Sequence, residues 1–252
     1  IDKNGRDRTA VCCLSSLNLE KYDEWKDDNV MINDVMRFLD NVLTDFIERA
    51  PEQFDDATYS AEKERSVGLG VMGFHSYLQK HSIPLESVMS KAWNKKIFKH
   101  IQEHVDQASK DLADERGPCP DAADYGFNER FSNKTAIAPT ASISIICGGA
   151  SPGVEPVAAN SYTHKTLSGS FNVRNRYLVE LLEKHGKNTD DVWSGITTNQ
   201  GSVSHLDFLT DLEKDVFKTA FELDQKWIIE LSGDRTPFIS QAQSINLFVP
   251  AD

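Results

Sequence analysis

Apolar residues recur at helical spacing between residues 29 and about 49, where Met31, Val35, Phe38, Leu39, Val42, Leu43 and Phe46 form one stripe and Pro51 ends the run. The pattern predicts an amphipathic helix. Trp93, Ile97, Ile101, Val105, Ala108 and Leu112 advance by four or three residues until Gly117-Pro118 stops them, which predicts a second. Further helices are expected at about 176–185 and at 210–231, the latter with Leu212, Val216, Phe217, Ala220, Leu223, Trp227 and Leu231 on one side. Alternation with period two is shorter. Val11 and Cys13 alternate with Cys12 and Leu14 in a strand expected within 9–19, and SINLFV at 244–249 reads as another, cut off by Pro250. Residues 65–78, RSVGLGVMGFHSYL, read as a strand or turn passing into a helix, whereas 162–175 are polar without a clear period. Short strands separated by long helices point to an α/β architecture around a parallel sheet or barrel.

Composition narrows the class. The 252 residues, 39% hydrophobic and 9% aromatic, are enough for a sizeable core. Thirty-nine acidic against 27 basic residues give a formal charge of -12, the wrong sign for gripping a phosphate backbone, so no nucleic acid is expected as a partner. No apolar run approaches the roughly 18 to 20 residues that cross a bilayer, and no membrane is expected either. The first residues, IDKNGRDRTA, lack the basic and apolar regions of a secretory signal. Cys12, Cys13, Cys119 and Cys147 form no CxxC pair and suit a reducing compartment, so the expected location is cytoplasmic. The sequon Asn133-Lys134-Thr135 then has no route to glycosylation.

Four local patterns bear on chemistry. Residues Thr135 to Val154, TAIAPTASISIICGGASPGV, carry no charged side chain in a chain that is 26% charged. The small hydroxyl residues after Pro139 suit a turn whose amides and hydroxyls face an anion; a buried strand followed by a Gly/Pro turn explains the same spacing. Cys12 and Cys13 are neighbours on a strand, so their sulfurs face opposite sides and only one looks into a given cavity. One of them is a redox thiol with a partner elsewhere, or both are small buried hydrophobes. His100-Ile101-Gln102-Glu103-His104 fits HxxEH, but His104 adjoins the apolar stripe and no third ligand is visible, so a solvated helix face is the better reading and no metal is expected. Gly68, Gly70 and Gly73 have the spacing of a dinucleotide fingerprint without its βαβ context, which favours a close-packed turn.

Taken in order, AVCCLSSLNL at 10–19, RSVGLGVMGF at 65–74, APTASISIICGGASPGVEP at 138–156, YTHKTLSGSF at 162–171 and DRTPFISQAQSINLF at 234–248 resemble the large, catalytic subunit of ribonucleotide reductase, most closely the class I, ribonucleoside-diphosphate form. The resemblance spans nearly the whole chain. It implies a fold that is a helix-rich part of the ten-stranded α/β barrel, with residues 1–252 as a single partial domain from its central to C-terminal portion. It also implies thiyl-radical reduction of a ribonucleoside diphosphate, in which a pair of thiols becomes a disulfide. Cys12 occupies the place of one member of that redox pair, and Thr140, Ala141, Ser142, Ile143 and Ser144 occupy the place of the loop that binds the substrate phosphates.

The departures define the implied partners. The Asn-x-Cys-x-Glu loop of the radical cysteine, the second redox cysteine, the effector-binding region and the paired tyrosines of the radical relay are not found in residues 1–252. The resemblance therefore implies a segment of a split, intein-interrupted or excised subunit that works with the remaining segments of the large subunit. It further implies a radical-generating small subunit carrying the metal or radical cofactor, thioredoxin or glutaredoxin as reductant, nucleotide effectors (ATP, dATP) bound elsewhere, and a homodimer of large subunits. A cobalamin-dependent relative and a catalytically silent phosphate-binding partner are the alternatives.

Overall fold

The computed structural model describes residues 2–3, 5–167 and 169–249. Two strands, β1 (Leu14–Asn18) and β2 (Gly68–Met72), pair in parallel with Leu14 opposite Gly68 and Asn18 opposite Met72. The sheet continues in the same sense through two extended segments: Leu69 bridges Thr135, and Ile137 bridges Gln243. Backbone bonds complete these edges, among them Leu69 N to Lys134 O, Ala136 N to Leu69 O and Ser244 N to Ile137 O. Helices supply the crossovers, as parallel pairing requires. Between β1 and β2 lie α1 (Tyr22–Trp25), α2 (Met31–Arg49) and α3 (Asp55–Glu64). After β2 come α4 (Phe74–Lys80), α5 (Val88–Arg116) and α6 (Pro120–Asp124). The architecture is a mixed helix and strand fold with a parallel sheet, as the periodicity implied.

Glycine decides how closely the strands approach. A Cβ at Gly70 would collide with the carbonyl of Ala136, and one at Gly68 with the side chains of Leu14 and Ala136. Only Gly73, at φ 79, is a turn residue, forming the N-cap of α4. The GxGxxG spacing thus begins inside a strand, at the first residue of β2, and ends at the cap of a helix. Two of its glycines serve strand packing rather than a phosphate turn.

The core lies on one face of the sheet. Helix α2 buries Ile32, Met36, Leu39 and Leu43, and α5 buries Ile97, Phe98, Ile101, Val105 and Leu112. Phe38 and Val42, counted with the α2 stripe, instead stand 62% and 41% exposed. Asp40, fully buried on α2, is bonded by Arg65 Nε at 2.7 Å, Arg116 Nη1 at 2.8 Å and Arg130 Nε at 2.9 Å. One carboxylate thereby joins α2 to the ends of α3 and α5 and to the segment that leads to the Thr135 bridge.

The C-terminal half differs from the pattern in three places. Residues 162–175 contain a hairpin, β3 (Ser161–Thr166) with β4 (Gly169–Arg174). Exposure of β4 along most of its length removes the alternation that would have announced it. The single helix expected over 210–231 is two, α10 (Asp211–Val216) and α11 (Gln225–Arg235). Asp224 caps α11 by accepting from Lys226 N, and the apolar stripe is divided between two cores. Val216 and Phe217 join Leu178, Leu182, Trp193 and Ile196 from α8 (Arg176–Lys184) and α9 (Asp190–Thr198), while Leu223 and Leu231 join the sheet core. Finally, 244–249 form no strand beyond the Gln243 bridge. The amides of Asn246 and Phe248 are satisfied by side-chain oxygens of Glu155 and Gln225 instead of a ladder. No helix among the described residues is long and apolar enough to cross a membrane.

Candidate functional site

The charge-free stretch begins in the extended segment that bridges the sheet at Thr135 and Ile137, and it turns at Thr140. This buried residue has φ 53, in the left-handed region, and its Oγ1 accepts from Gly153 N at 2.6 Å. Gly153 is required there, because a Cβ would come within 2.9 Å of the Ala138 carbonyl. One turn of helix, α7 (Ile143–Ile146), follows, started by Ser144 N donating to Thr140 O at 2.9 Å. The buried Ser144 hydroxyl turns back to the Ala141 carbonyl at 3.4 Å. Ala141, Ser142 and Ile143 are exposed, and their amides make no backbone hydrogen bond among the described residues. Three free donors in a segment with no carboxylate of its own suit an anion, and the Glu20 side chain lines the adjoining cavity.

Beyond α7 the stretch is structural. Gly73 N and Phe74 N donate to the carbonyls of Ser151 and Gly153, while the Ser76 and Ser151 hydroxyls each accept from the other residue's amide, at 2.9 and 3.1 Å. The donors at the start of α4 are satisfied in this way. A fixed charge would have no partner here.

A cavity of about 390 Å³ lies along the flank of α7. Ala141, Ser144, Ile145 and Gly148 form one wall, Val157 to Ala159 a second, and Val173 to Tyr177 the third. Of the five loop residues singled out from sequence, Ala141 and Ser144 line it; Ser142 and Ile143 point to solvent and Thr140 pins the turn. His75, buried on α4, holds the second wall, since its Nδ1 accepts from Val157 N at 3.0 Å. Burial pushes the imidazole down to a pKa of about 3, so it is neutral and Nε2 carries the proton. Glu20, also buried, accepts from the Tyr177 hydroxyl at 3.0 Å. Burial and the neighbouring carboxylate raise the Tyr177 phenol above its ordinary value, which keeps it a donor.

Cys12 and Cys13 face opposite ways. Cys13 is buried with its Sγ 3.8 Å from the Leu39 carbonyl, and burial raises its thiol above the usual range. Cys12 is exposed, on the same side of the chain as Leu14, Ser16 and Asn18. At the far end of that face Asn18 Nδ2 donates to the Cys147 carbonyl, just past α7, at 3.3 Å. Cys12 and the loop thus share one face of β1 but sit at opposite ends, six residues or roughly 20 Å apart at strand rise. The described residues do not bring them into contact.

The histidines of the HxxEH pattern are engaged otherwise. His100 Nδ1 lies 3.2 Å from the Tyr22 hydroxyl, and His104 Nδ1 lies 2.9 Å from the His100 carbonyl. Among the described residues no group of three or more His, Cys, Asp or Glu is placed to hold a metal ion. The pattern had given no sign of His75, Glu20, Arg176 or Tyr177. Their only trace is a pair of arginines flanking Asn175 in an acidic chain.

Comparison with known proteins defines the class. A family model described as the ribonucleotide reductase barrel domain matches residues 2–129 and 121–252. The chain belongs to that family. It is 51% identical over 249 residues to the ribonucleoside-diphosphate reductase large subunit of Invertebrate iridescent virus 6, covering 97% of this chain and 26% of the viral protein. A protein of Frog virus 3 named as a putative large subunit of the same reductase is 43% identical, with 97% and 43% covered. Among solved structures, the class Id ribonucleotide reductase alpha subunit of Actinobacillus ureae superposes with TM-score 0.88 at 41% identity, covering 96% of this chain and 44% of that one. The chain therefore spans less than half the length of these relatives.

Proposed function

We propose that residues 1–252 are a single partial domain of a ribonucleotide reductase large subunit and that the protein reduces ribonucleoside diphosphates to 2'-deoxyribonucleoside diphosphates. The observation that carries this reading is the division of the two cysteines: Cys13 is locked into the core, and Cys12 alone faces the side of β1 that leads to the phosphate loop. The parallel sheet, with one face covered by helices, supplies part of the wall of a ten-stranded barrel. The remaining segments of the subunit complete it. Membership of the reductase family gives this arrangement its chemistry.

The free amides of Ala141, Ser142 and Ile143 receive the substrate phosphates, with Thr140 and Ser144 fixing the turn. Electrostatics favours this, because a dianionic group gains charge-assisted bonds from the amides, and the Glu20 carboxylate that shares the cavity has the Arg176 guanidinium beside it. Cys12 is one member of a dithiol pair. Two thiols give up two electrons and two protons, the ribose C2'–OH becomes C2'–H and water, and a disulfide forms. The second thiol and the radical-forming cysteine come from the rest of the subunit, which accounts for the distance between Cys12 and the loop. A small subunit supplies the radical, its metal or radical cofactor staying with that subunit, and a thioredoxin or glutaredoxin in the cytoplasm re-reduces the pair. ATP and dATP act on other parts of a homodimeric large subunit.

The test is turnover by the intact subunit with its small subunit. Replacing Cys12 with Ser should abolish multiple turnover with an external dithiol reductant, whereas Cys13→Ser should retain it. Equal tolerance of both substitutions would sink the assignment.

A further inference from the structure

The far end of the phosphate loop is held by residues that the reaction itself does not require. Helix α7 closes through Gly149 N, which donates to the Ser144 and Ile145 carbonyls at 2.9 and 3.1 Å, and Ala150 N, which donates to Ser144 O at 3.1 Å. Gly148 and Gly149 both have positive φ, 93 and 76. The Arg176 guanidinium lies across this turn: a Cβ built on Gly148 would come 3.3 Å from Nη2, and one on Gly149 3.9 Å. Two glycines thus leave room for a cation beside the C-terminal carbonyls of α7, the end of a helix that favours positive charge. Arg176 opens α8 next to its cap, Asn175, so its backbone is fixed. Its Nη1 is 3.9 Å from Glu20 Oε2.

Glu20 is a rigid anchor. Its amide donates to Asn18 Oδ1 at 3.0 Å, its carbonyl accepts from Lys80 Nζ at 2.9 Å, and its other carboxylate oxygen takes the Tyr177 hydroxyl. Asn18, two residues earlier, bonds the Cys147 carbonyl of the same turn. The last residue of β1 therefore bonds the loop from one side, and the Arg176 guanidinium packs against it from the other.

We infer that Arg176, anchored by Glu20, is a positioning residue for the phosphate loop: it fixes the end of α7 so that the amides of Ala141 to Ile143 hold their orientation toward a nucleoside diphosphate. This inference rests on the reading of Thr140 to Ser144 as the phosphate site. A loop that has lost its clamp binds diphosphate less well and reacts normally once the complex has formed. The effect belongs in KM rather than kcat.

The experiment uses the intact large subunit with its small subunit and measures steady-state reduction of a ribonucleoside diphosphate by five variants. Arg176→Ala and Glu20→Gln, the latter keeping the acceptor for Tyr177, should each raise KM roughly fivefold, the size expected of a half-exposed ion pair, with kcat close to wild type. The double variant should be no worse than the single ones, and Arg176→Lys should restore part of the loss. Ser142→Asp, which puts a carboxylate on the exposed loop, tests the underlying reading separately. A large KM increase for Ser142→Asp with no change for Arg176→Ala and Glu20→Gln overturns the clamp and leaves the loop assignment standing. No change for Ser142→Asp overturns the loop assignment and the clamp with it. Additive losses in the double variant also overturn the inference, because Arg176 would then act without Glu20.

Discussion

His75 shows how one buried group sets both geometry and pH response. Its Nδ1 holds Val157 in the cavity wall, and it cannot become charged without leaving the core. Since its folded pKa is pushed from 6.5 to about 3, the unfolded chain binds a proton below pH 6.5 that the folded chain refuses. Stability contributed by the neutral ring is therefore complete above about pH 6.5 and declines as pH falls toward 3, by at most about 1.4 kcal/mol per pH unit. His75→Asn keeps an acceptor for Val157 and removes the titration. Denaturant midpoints of the intact subunit between pH 6.5 and 4 should fall less steeply in the variant, and an unchanged slope would contradict this role. At this scale the sequence revealed the opposite facing of Cys12 and Cys13, because strand alternation is a local property. It did not reveal His75, Glu20 or Arg176, whose partners lie 82, 157 and 156 residues away in the chain.

At the scale of elements, Asp40 binds helix ends that are far apart in sequence. Burial alone would raise its pKa, but the hydrogen bond from Arg130, the charge of Arg65 and the hydrogen bond from Arg116 outweigh it and hold the carboxyl below its ordinary 3.8. The stabilisation is present above about pH 4 and is lost as pH falls through the lowered value. Asp40→Asn leaves buried guanidinium groups without their counter-charge, at a cost of about 3 to 5 kcal/mol near neutral pH. The deficit relative to wild type should shrink as the pH drops below 4, and equal stability of the two proteins at pH 7 would refute the account. Helices α2 and α5 were legible because each buries one face along many turns. The hairpin was not, since little of β4 is buried. The continuous apolar stripe across 210–231 misled because its two halves serve different cores.

Over the whole molecule, β1 links the proposed chemistry at its two ends: Cys12 stands before its first residue, and Asn18, its last, bonds the turn that ends the phosphate loop. The order of five motifs made the family readable from sequence, and in two of them a close approach of backbone dictates the residue. Gly68 and Gly70 admit the extended segment at Ala136, and Gly153 admits the Thr140 turn. The cavity beside α7 was not readable, being assembled from residues as far apart as Glu20, Ser76, Ser144, Val157 and Arg176. The most direct test of the central claim is thiol mapping by mass spectrometry of the intact subunit after reaction with a ribonucleoside diphosphate in the absence of external reductant. Cys12 should be recovered in a disulfide, in step with the deoxynucleotide formed, while Cys13 is recovered as a free thiol. Deoxynucleotide formed with Cys12 still a free thiol would contradict it.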